Sequence, residues 1–328
     1  MKWRLVVAAV GHLNIDIYVK VERMPEPDAR EIAEEMYLTV GGAATNYSIA
    51  VTKLGVKSIL FATCGRDLFG EYALSTLSRL GVDTRYVRQV DASTGVVLCI
   101  LDSRGVKYMI ANEGANKYLE TPSTDTLVRE NVSHVHIVLS SFEKLTEILS
   151  KLKDCDVSIS IGLRTQIARE GLHKLCKLLD MRSVNFLFLN ISELYELVGS
   201  KDLEYCVEEL VRNVNAEEII ITLGDRGSII VSKRFRINVP AYRIDNVVDT
   251  TGAGDVYAAI YTVLRLFGIE PAVAARVASA YSGLKCTMRG ASSIPSPADV
   301  LNFLKSRDDV EAYNALHKVL NECLNIST

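Results

Sequence analysis

The sequence predicts an α/β protein: a mostly parallel central sheet with helices on both faces, plus a small β-sheet lid. Three observations predict it. Apolar, β-branched runs alternate with helix-patterned segments along the 328 residues. Glycine punctuates the ends of those segments repeatedly. Two stretches, about 12–40 and 94–118, break the rhythm with short strand-like pieces of their own.

Taken in order, "RLVVAAVGHLNIDIYV" is β-branched and then broken by Gly11, as a buried strand would be. "GGAATNYSIAVTKLG" (41–55) opens as a glycine turn and becomes a helix, with Gly55 at the position that stops it. "KSILFATCG" reads as a strand and 69–81 as a helix ended by Gly81. The strand–helix–glycine pattern repeats through "VSHVHIVLS", "CDVSISI", "NFLFLN" and "EEIIITLG". Such alternation argues for parallel strands joined by crossover helices. Within the interruptions, Pro25 and Pro27 precede the strand-like "EIAEEMYLTV", and 94–118 reads as a hairpin turning at "DSRG". These pieces are expected to form a discontinuous lid. No repeat or linker divides the chain, so 1–328 is expected to form a single domain.

Composition narrows the function classes. A net charge of −3 gives no general attraction to nucleic acid or anionic membranes, so any anionic ligand must be held by a local site. Seven scattered cysteines contain no C-x-x-C pair, which argues against a zinc site or disulfide framework and for a reducing compartment. The N-terminal apolar run is too short and too soon broken for a signal peptide, and no run approaches the ~18 residues of a membrane span. A soluble, cytoplasmic protein is expected. His134 and His136 share one face of a predicted strand, but no third ligand lies within sequence reach to make a metal site.

The most informative stretch is "VVDTTGAGDVYAAIYTVL" (247–264), an apolar helix entered through Gly252, Ala253 and Gly254 with Asp255 behind them. Asp255 can be read as the N-cap of that helix. It can also be read as chemistry. Unhindered N–H groups at a helix start attract phosphate oxygens, and a carboxylate beside a transferable phosphoryl group can take the proton of an attacking alcohol. The string is not a P-loop, which needs G-x-x-x-x-G-K-[ST]. Nor is it a dinucleotide fingerprint, since Tyr257 stands where a third glycine belongs.

"DTTGAGDVY" (249–257) resembles a signature of the PfkB family of carbohydrate kinases, the ribokinase-like kinases, and "GGAATNYSIAVTKLG" resembles that family's other signature. The likeness runs from "NIDIY" to "RGASSIP" (289–295). It implies a three-layer α/β/α sandwich and ATP-dependent phosphoryl transfer to a hydroxyl of a sugar or nucleoside, with Asp255 as base. By the same resemblance Gly252, Ala253 and Gly254 form the anion hole, and Asn14, Asp16, Gly41, Gly42 and Asn46 form the acceptor pocket. Asp16 also fits a strand end, and Asn46 a helix cap. Asn190 and Glu193 match an N-x-x-E associated with phosphates and magnesium, Glu193 acting through water. They equally form a capping-box pattern. Thr222, Gly224 and Gly227 in "ITLGDRGSIIV" read locally as a hairpin turn, and the resemblance places them beside the nucleotide. Ser279 stands where ribokinase commonly has an asparagine near adenine. Glu143 reads as a solvated helix start.

Some relatives hold a monovalent cation near the residues matching Asp249 and Thr251, and the resemblance leaves that site open here. The alanine-rich run "ASAYSGLKC" departs from the family pattern through Tyr281 and Lys285. Gly162 replaces an aspartate found in many relatives, with Arg164 nearby. The alternatives to a sugar or nucleoside acceptor are a phosphorylated sugar met by Arg104, Lys107 or Arg164, and a sugar-binding protein without turnover. The expected partners are small molecules, with neither nucleic acid nor membrane. A homodimer is expected because lid strands in such kinases often pair between subunits.

Overall fold

The computed structural model describes residues 5–139, 141–152, 155–162 and 170–327. Its strands are β1 (Val6–Gly11), β2 (Asn14–Lys20), β3 (Glu35–Gly41), β4 (Lys57–Gly65), β5 (Val87–Val90), β6 (Gly95–Leu101), β7 (Lys107–Asn112), β8 (His134–Leu139), β9 (Asp156–Ile161), β10 (Val184–Asn190), β11 (Ala216–Thr222), β12 (Ser228–Val231) and β13 (Arg236–Val239). Nine of them form one sheet in the order β13-β12-β11-β10-β9-β8-β1-β4-β5. The pairs from β5 to β11 are parallel, and β12 and β13 close one edge antiparallel.

Period-two alternation divides this sheet between two apolar layers. In β1, Val7 and Ala9 face a core built with the helices Ala43–Lys53, Ala253–Leu266 and Pro271–Lys285. Val6, Ala8 and Val10 face a second core with the helices Phe142–Lys151, Leu172–Met181, Ile191–Val198 and Leu203–Asn213. The result is a three-layer α/β/α arrangement. Helix Ala43–Lys53 stops at Gly55 and helix Leu68–Arg79 at Gly81, both glycines lying at positive φ as sequence spacing requires.

The remaining four strands form a separate sheet in the order β3-β2-β6-β7. The first apolar run is thus two strands, not one. β1 belongs to the large sheet, His12 and Leu13 make the crossing, and β2 pairs in register with β3 and β6. The break falls at Gly11, and β2 lies within the 12–40 stretch expected to form the lid. One face of the small sheet carries Asp16, Tyr18, Tyr37, Cys99 and Lys107 toward the body of the molecule. The registers Ile17↔Leu38, Val19↔Met36 and Leu98↔Ile110 place those six apolar residues on the other face. There Met36 and Ile110 are each 64% exposed.

His134 and His136 are wholly buried polar elements of the core. Both accept or donate to Ser158 Oγ at 2.7 Å, and His136 also meets Ser160 Oγ at 3.1 Å and stacks on Tyr47. Burial pushes the His134 imidazole down to about 3, so it stays neutral. Among the described residues no group of three His, Cys, Asp or Glu side chains gathers to hold a metal, and no helix is long and apolar enough to cross a membrane.

The buried carboxylate Glu218 ties β11 to helix Ala253–Leu266. It accepts from Tyr261 Oη at 2.7 Å and from Arg265 Nη2 at 2.5 Å. Removing one partner of such a pair leaves the other desolvated and unpaired. Glu218→Ala should therefore lower stability by about 3 kcal/mol in urea denaturation. The double variant Glu218→Leu/Arg265→Met should recover most of that loss.

Candidate active site

Two helix starts meet at the carboxyl ends of the parallel strands, the edge where open α/β sheets bind ligands. Each is entered through a glycine at positive φ. Gly42 (φ 96°) precedes helix Ala43–Lys53, and a Cβ there would lie 2.3 Å from the His12 carbonyl oxygen. Gly252 (φ 80°) precedes helix Ala253–Leu266, and its Cβ would lie 2.5 Å from the Ala291 carbonyl oxygen. No side chain caps either helix; the Ala253 amide donates to the Thr250 carbonyl oxygen at 3.2 Å, and the other first-turn amides are left to other acceptors.

Asp255 is therefore not an N-cap. The cap position is Gly252, and Asp255 stands three residues into the helix. Its Oδ2 accepts a 2.8 Å hydrogen bond from Asn46 Nδ2 across 209 residues of sequence. Asn46 is likewise no cap, since it stands four residues into helix Ala43–Lys53, with its Nδ2 donating to Asp255. Asp255 keeps part of its surface open, as a group at the floor of a cleft does. Burial pushes its carboxyl up to about 7, with the Asp16 charge adding to the rise and the Asn46 bond and Lys285 opposing it. Gly254 is exposed, and nothing lies within 4 Å of the place a Cβ would take. A ligand can thus touch this backbone.

Asp16 projects from β2 over Gly41, where any Cβ would fall 2.2 Å from Asp16 Oδ2. The glycine is required by the carboxylate. Asp16 is buried, and burial pushes it up to about 7 against the pull of Lys107. Asn14, opposite Gly41 in the register, accepts from Asn116 Nδ2 at 2.8 Å through its side-chain oxygen. Asn116 also bonds both backbone groups of Leu13 and so fixes the crossing between the sheets. The sequence reading missed Asn116. Its only signal is a place inside 94–118, because its partners are 102 and 103 residues away.

The residues expected around a nucleotide lie along the same edge. Asn190 and Glu193 form a complete capping box: Asn190 Oδ1 accepts from the Ser192 and Glu193 amides, and Glu193 Oε2 accepts from Asn190 N at 2.7 Å. Asn190 pairs with Thr222 across β10 and β11. Thr222 pairs with Ser228, whose hydroxyl lies 2.7 Å from Tyr257 Oη in helix Ala253–Leu266. Gly224 and Gly227 turn the β11–β12 hairpin at positive φ, and a Cβ on Gly227 would meet the Val239 carbonyl oxygen at 2.0 Å. Ser279 is buried within helix Pro271–Lys285. Glu143 is exposed in the first turn of helix Phe142–Lys151, capped by Ser141. Arg164 lies outside the described residues.

A cavity of about 470 Å³ opens between the inner face of the small sheet and residues 247–250, with Tyr18, Tyr37, Lys107, Asp249 and Arg289 among its walls. Lys107 reaches from β7 to the 249–254 loop, donating to Thr251 Oγ1 and standing 3.7 Å from Asp249 Oδ1. Arg104, by contrast, is turned back onto Asp102. Lys285, fully buried, donates to the Asp249 carbonyl oxygen at 2.9 Å. A second cavity of about 420 Å³ lies around Tyr86 and Arg88 and contains none of these groups.

Known proteins resemble this chain in sequence and in fold. An ATP-dependent ribose-1-phosphate kinase of Halopiger xanaduensis is 27% identical over 304 residues, spanning 92% of this chain and 99% of that protein. The structure of Arabidopsis thaliana ribokinase complexed with ribose and ATP superposes with a TM-score of 0.79 at 26% identity, covering 92% of this chain and 99% of that one. The nucleoside kinase of Methanocaldococcus jannaschii shares the fold, with a TM-score of 0.77 at 23% identity over 92% of this chain and 98% of that one. Residues 5–299 match the pfkB family of carbohydrate kinases. The chain belongs to that family.

Proposed function

We propose that the protein transfers the γ-phosphoryl group of ATP to a hydroxyl of a sugar or nucleoside, with Asp255 as the general base. The observation that carries this reading is the Asn46–Asp255 pair. It sets a carboxyl whose proton affinity is raised by burial beside an uncapped helix start. Asp255 takes the proton of the attacking hydroxyl, and the amides of Gly252, Ala253 and Gly254 receive the charge on the transferred group. Asn14, Asp16, Gly41, Gly42 and Asn46 shape the acceptor subsite. There short amides and carboxylates accept and donate to adjacent hydroxyls while the glycines clear space for the ring.

The nucleotide lies along Asn190, Thr222, Gly224 and Gly227, with Ser279 behind it. Magnesium, which neutralises phosphate charge in such transfers, would come in on the nucleotide, because no metal cluster gathers among the described residues. Glu193 would reach it only through water, its Oε2 being committed to the Asn190 amide. The small sheet acts as a lid, excluding water above the acceptor. A phosphorylated sugar is the second reading, favoured by Lys107 in the cavity wall and by the named activity of the Halopiger relative.

The exposed apolar face of the small sheet supports a homodimer in which two lids pack together. Light scattering should give a dimer mass. Leu38→Glu combined with Ile110→Glu should halve that mass while leaving the melting temperature of the subunit nearly unchanged.

Asp255→Asn keeps the shape of the side chain and removes the base. Turnover with the preferred acceptor should fall by roughly 10² to 10⁴, while calorimetric affinity for ATP persists. A nucleotide-consumption assay over sugars, sugar phosphates and nucleosides identifies that acceptor. Silence across the panel would overturn the kinase reading.

The same group sets a pH dependence. Its carboxyl titrates at 3.8 in the unfolded chain and about 7 in the folded one. Its contribution to stability is thus full below 3.8 and is lost as pH rises through about 7. Asp255→Asn should therefore melt above the wild type at pH 8, with the difference vanishing near pH 4. Wild-type turnover should decline as pH falls through about 7, where the base becomes protonated.

A further inference from the structure

The relatives' monovalent-cation site, expected near Asp249 and Thr251, does not fit the groups this chain places there. All three oxygens of Asp249 already hold donors. Its carbonyl takes the Lys285 ammonium at 2.9 Å, Oδ1 takes the Thr251 amide at 3.0 Å and hydroxyl at 2.6 Å, and Oδ2 takes the Gly290 amide at 3.2 Å. The Thr251 hydroxyl in turn accepts from Lys107. Thus one ammonium stands 3.7 Å from the Asp249 carboxylate and a second holds its backbone carbonyl, and a free cation would meet repulsion from both. Both lysines face a net acidic neighbourhood, because Asp16 and Asp255 lie within electrostatic reach.

Lys285 is the unusual member. It is fully buried, and among the described residues its ammonium bonds a backbone carbonyl and forms no ion pair with a carboxylate. A buried ammonium without a close counter-ion is costly and persists only where surrounding structure fixes it. Here the last turn of helix Pro271–Lys285 carries it, where a helix end favours positive charge. From that position it holds the residue that begins the 249–254 loop. Val248 and Asp249 are tied to the same helix end through the Cys286 carbonyl.

We propose that the Lys285 ammonium is a built-in cation that fixes the 249–254 loop, so that this protein requires no monovalent metal ion. Lys285 is a positioning residue: it acts on the phosphate-facing amides through the Asp249 carbonyl. The inference rests on reading that loop as the anion hole, but its test does not require turnover.

Melting temperatures are compared in the chloride salts of potassium, sodium, ammonium and choline at equal ionic strength. The wild type should melt at one temperature in all four and bind ATP with one calorimetric affinity. Lys285→Ala should melt several degrees lower in choline and recover saturably with ammonium or potassium, which enter the space the side chain leaves. Lys285→Met, which fills that space without charge, should be lowered and gain nothing from any salt. A saturable rise of the wild type in potassium would overturn the proposal, as would a Lys285→Ala protein indifferent to the cation. If Lys285→Ala does not fold, the wild-type and Lys285→Met series decide the matter. Absence of phosphoryl transfer with this melting pattern intact would overturn the proposed function alone.

Discussion

The hydrogen bond from Asn46 to Asp255 is the contact on which the rest of the site depends. It joins two helices, each entered through a positive-φ glycine that no other residue could replace without collision. Because each glycine packs directly on a carbonyl, both helix starts converge on one point. A carboxylate can be sunk there only because an amide donor and a buried ammonium face it. Among the described residues no donor reaches Oδ1 of the neighbouring Asp16, and the missing side chain of Gly41 leaves it room. Stability is thereby exchanged for a carboxyl that holds its proton near neutrality.

The alanine content of the surrounding helices follows from the same constraint. Ala44, Ala50, Ala258, Ala259, Ala274 and Ala278 are fully or almost fully buried. Small side chains let the helices behind the site approach closely, and close approach is what brings residues 46 and 255 within bonding distance. Tyr47, Tyr257, Tyr261 and Tyr281 fill what remains, and Tyr257 and Tyr261 spend their hydroxyls on Ser228 and Glu218. The polar links of the core thus lie along the route from the hairpin β11–β12 to the base.

Legibility in the sequence follows the range of the interaction. The capping box at Asn190 and Glu193 is an i,i+3 relation and reads directly. The stops at Gly55 and Gly81 and the alternation within β1 are equally local. The large parallel sheet and the small second sheet followed from composition and punctuation. The break of the first apolar run at Gly11 and the passage of 12–40 to the small sheet followed likewise; the partners of β2 did not, because β3 and β6 are set by long-range pairing. Asp255 as a cap was a sound local reading of a short acidic residue after glycine. It fails because Gly252 turns the chain earlier and Asn46, far away, claims the carboxylate. Asn116 looks like an ordinary loop residue until the fold sets it against Leu13, and Lys285 stands out only as a departure from the family pattern until the fold sets it against Asp249.

The pairing of residue 46 with residue 255 also bears on how the molecule comes into being. Asn14, Asp16 and Asn46 lie within the first fifth of the chain, and Asp255 lies in the last quarter. Between them stand the strands β4 to β13, eight of them in the large sheet and β6 and β7 in the small one. The contact between residues 46 and 255 therefore cannot form until nearly four-fifths of the chain has been made. Sequence-distant closure of this kind is slow, because the entropy of a long loop is lost before its contacts form. Ligand that bridges the two halves can then act late in folding, as a clamp on the last closure.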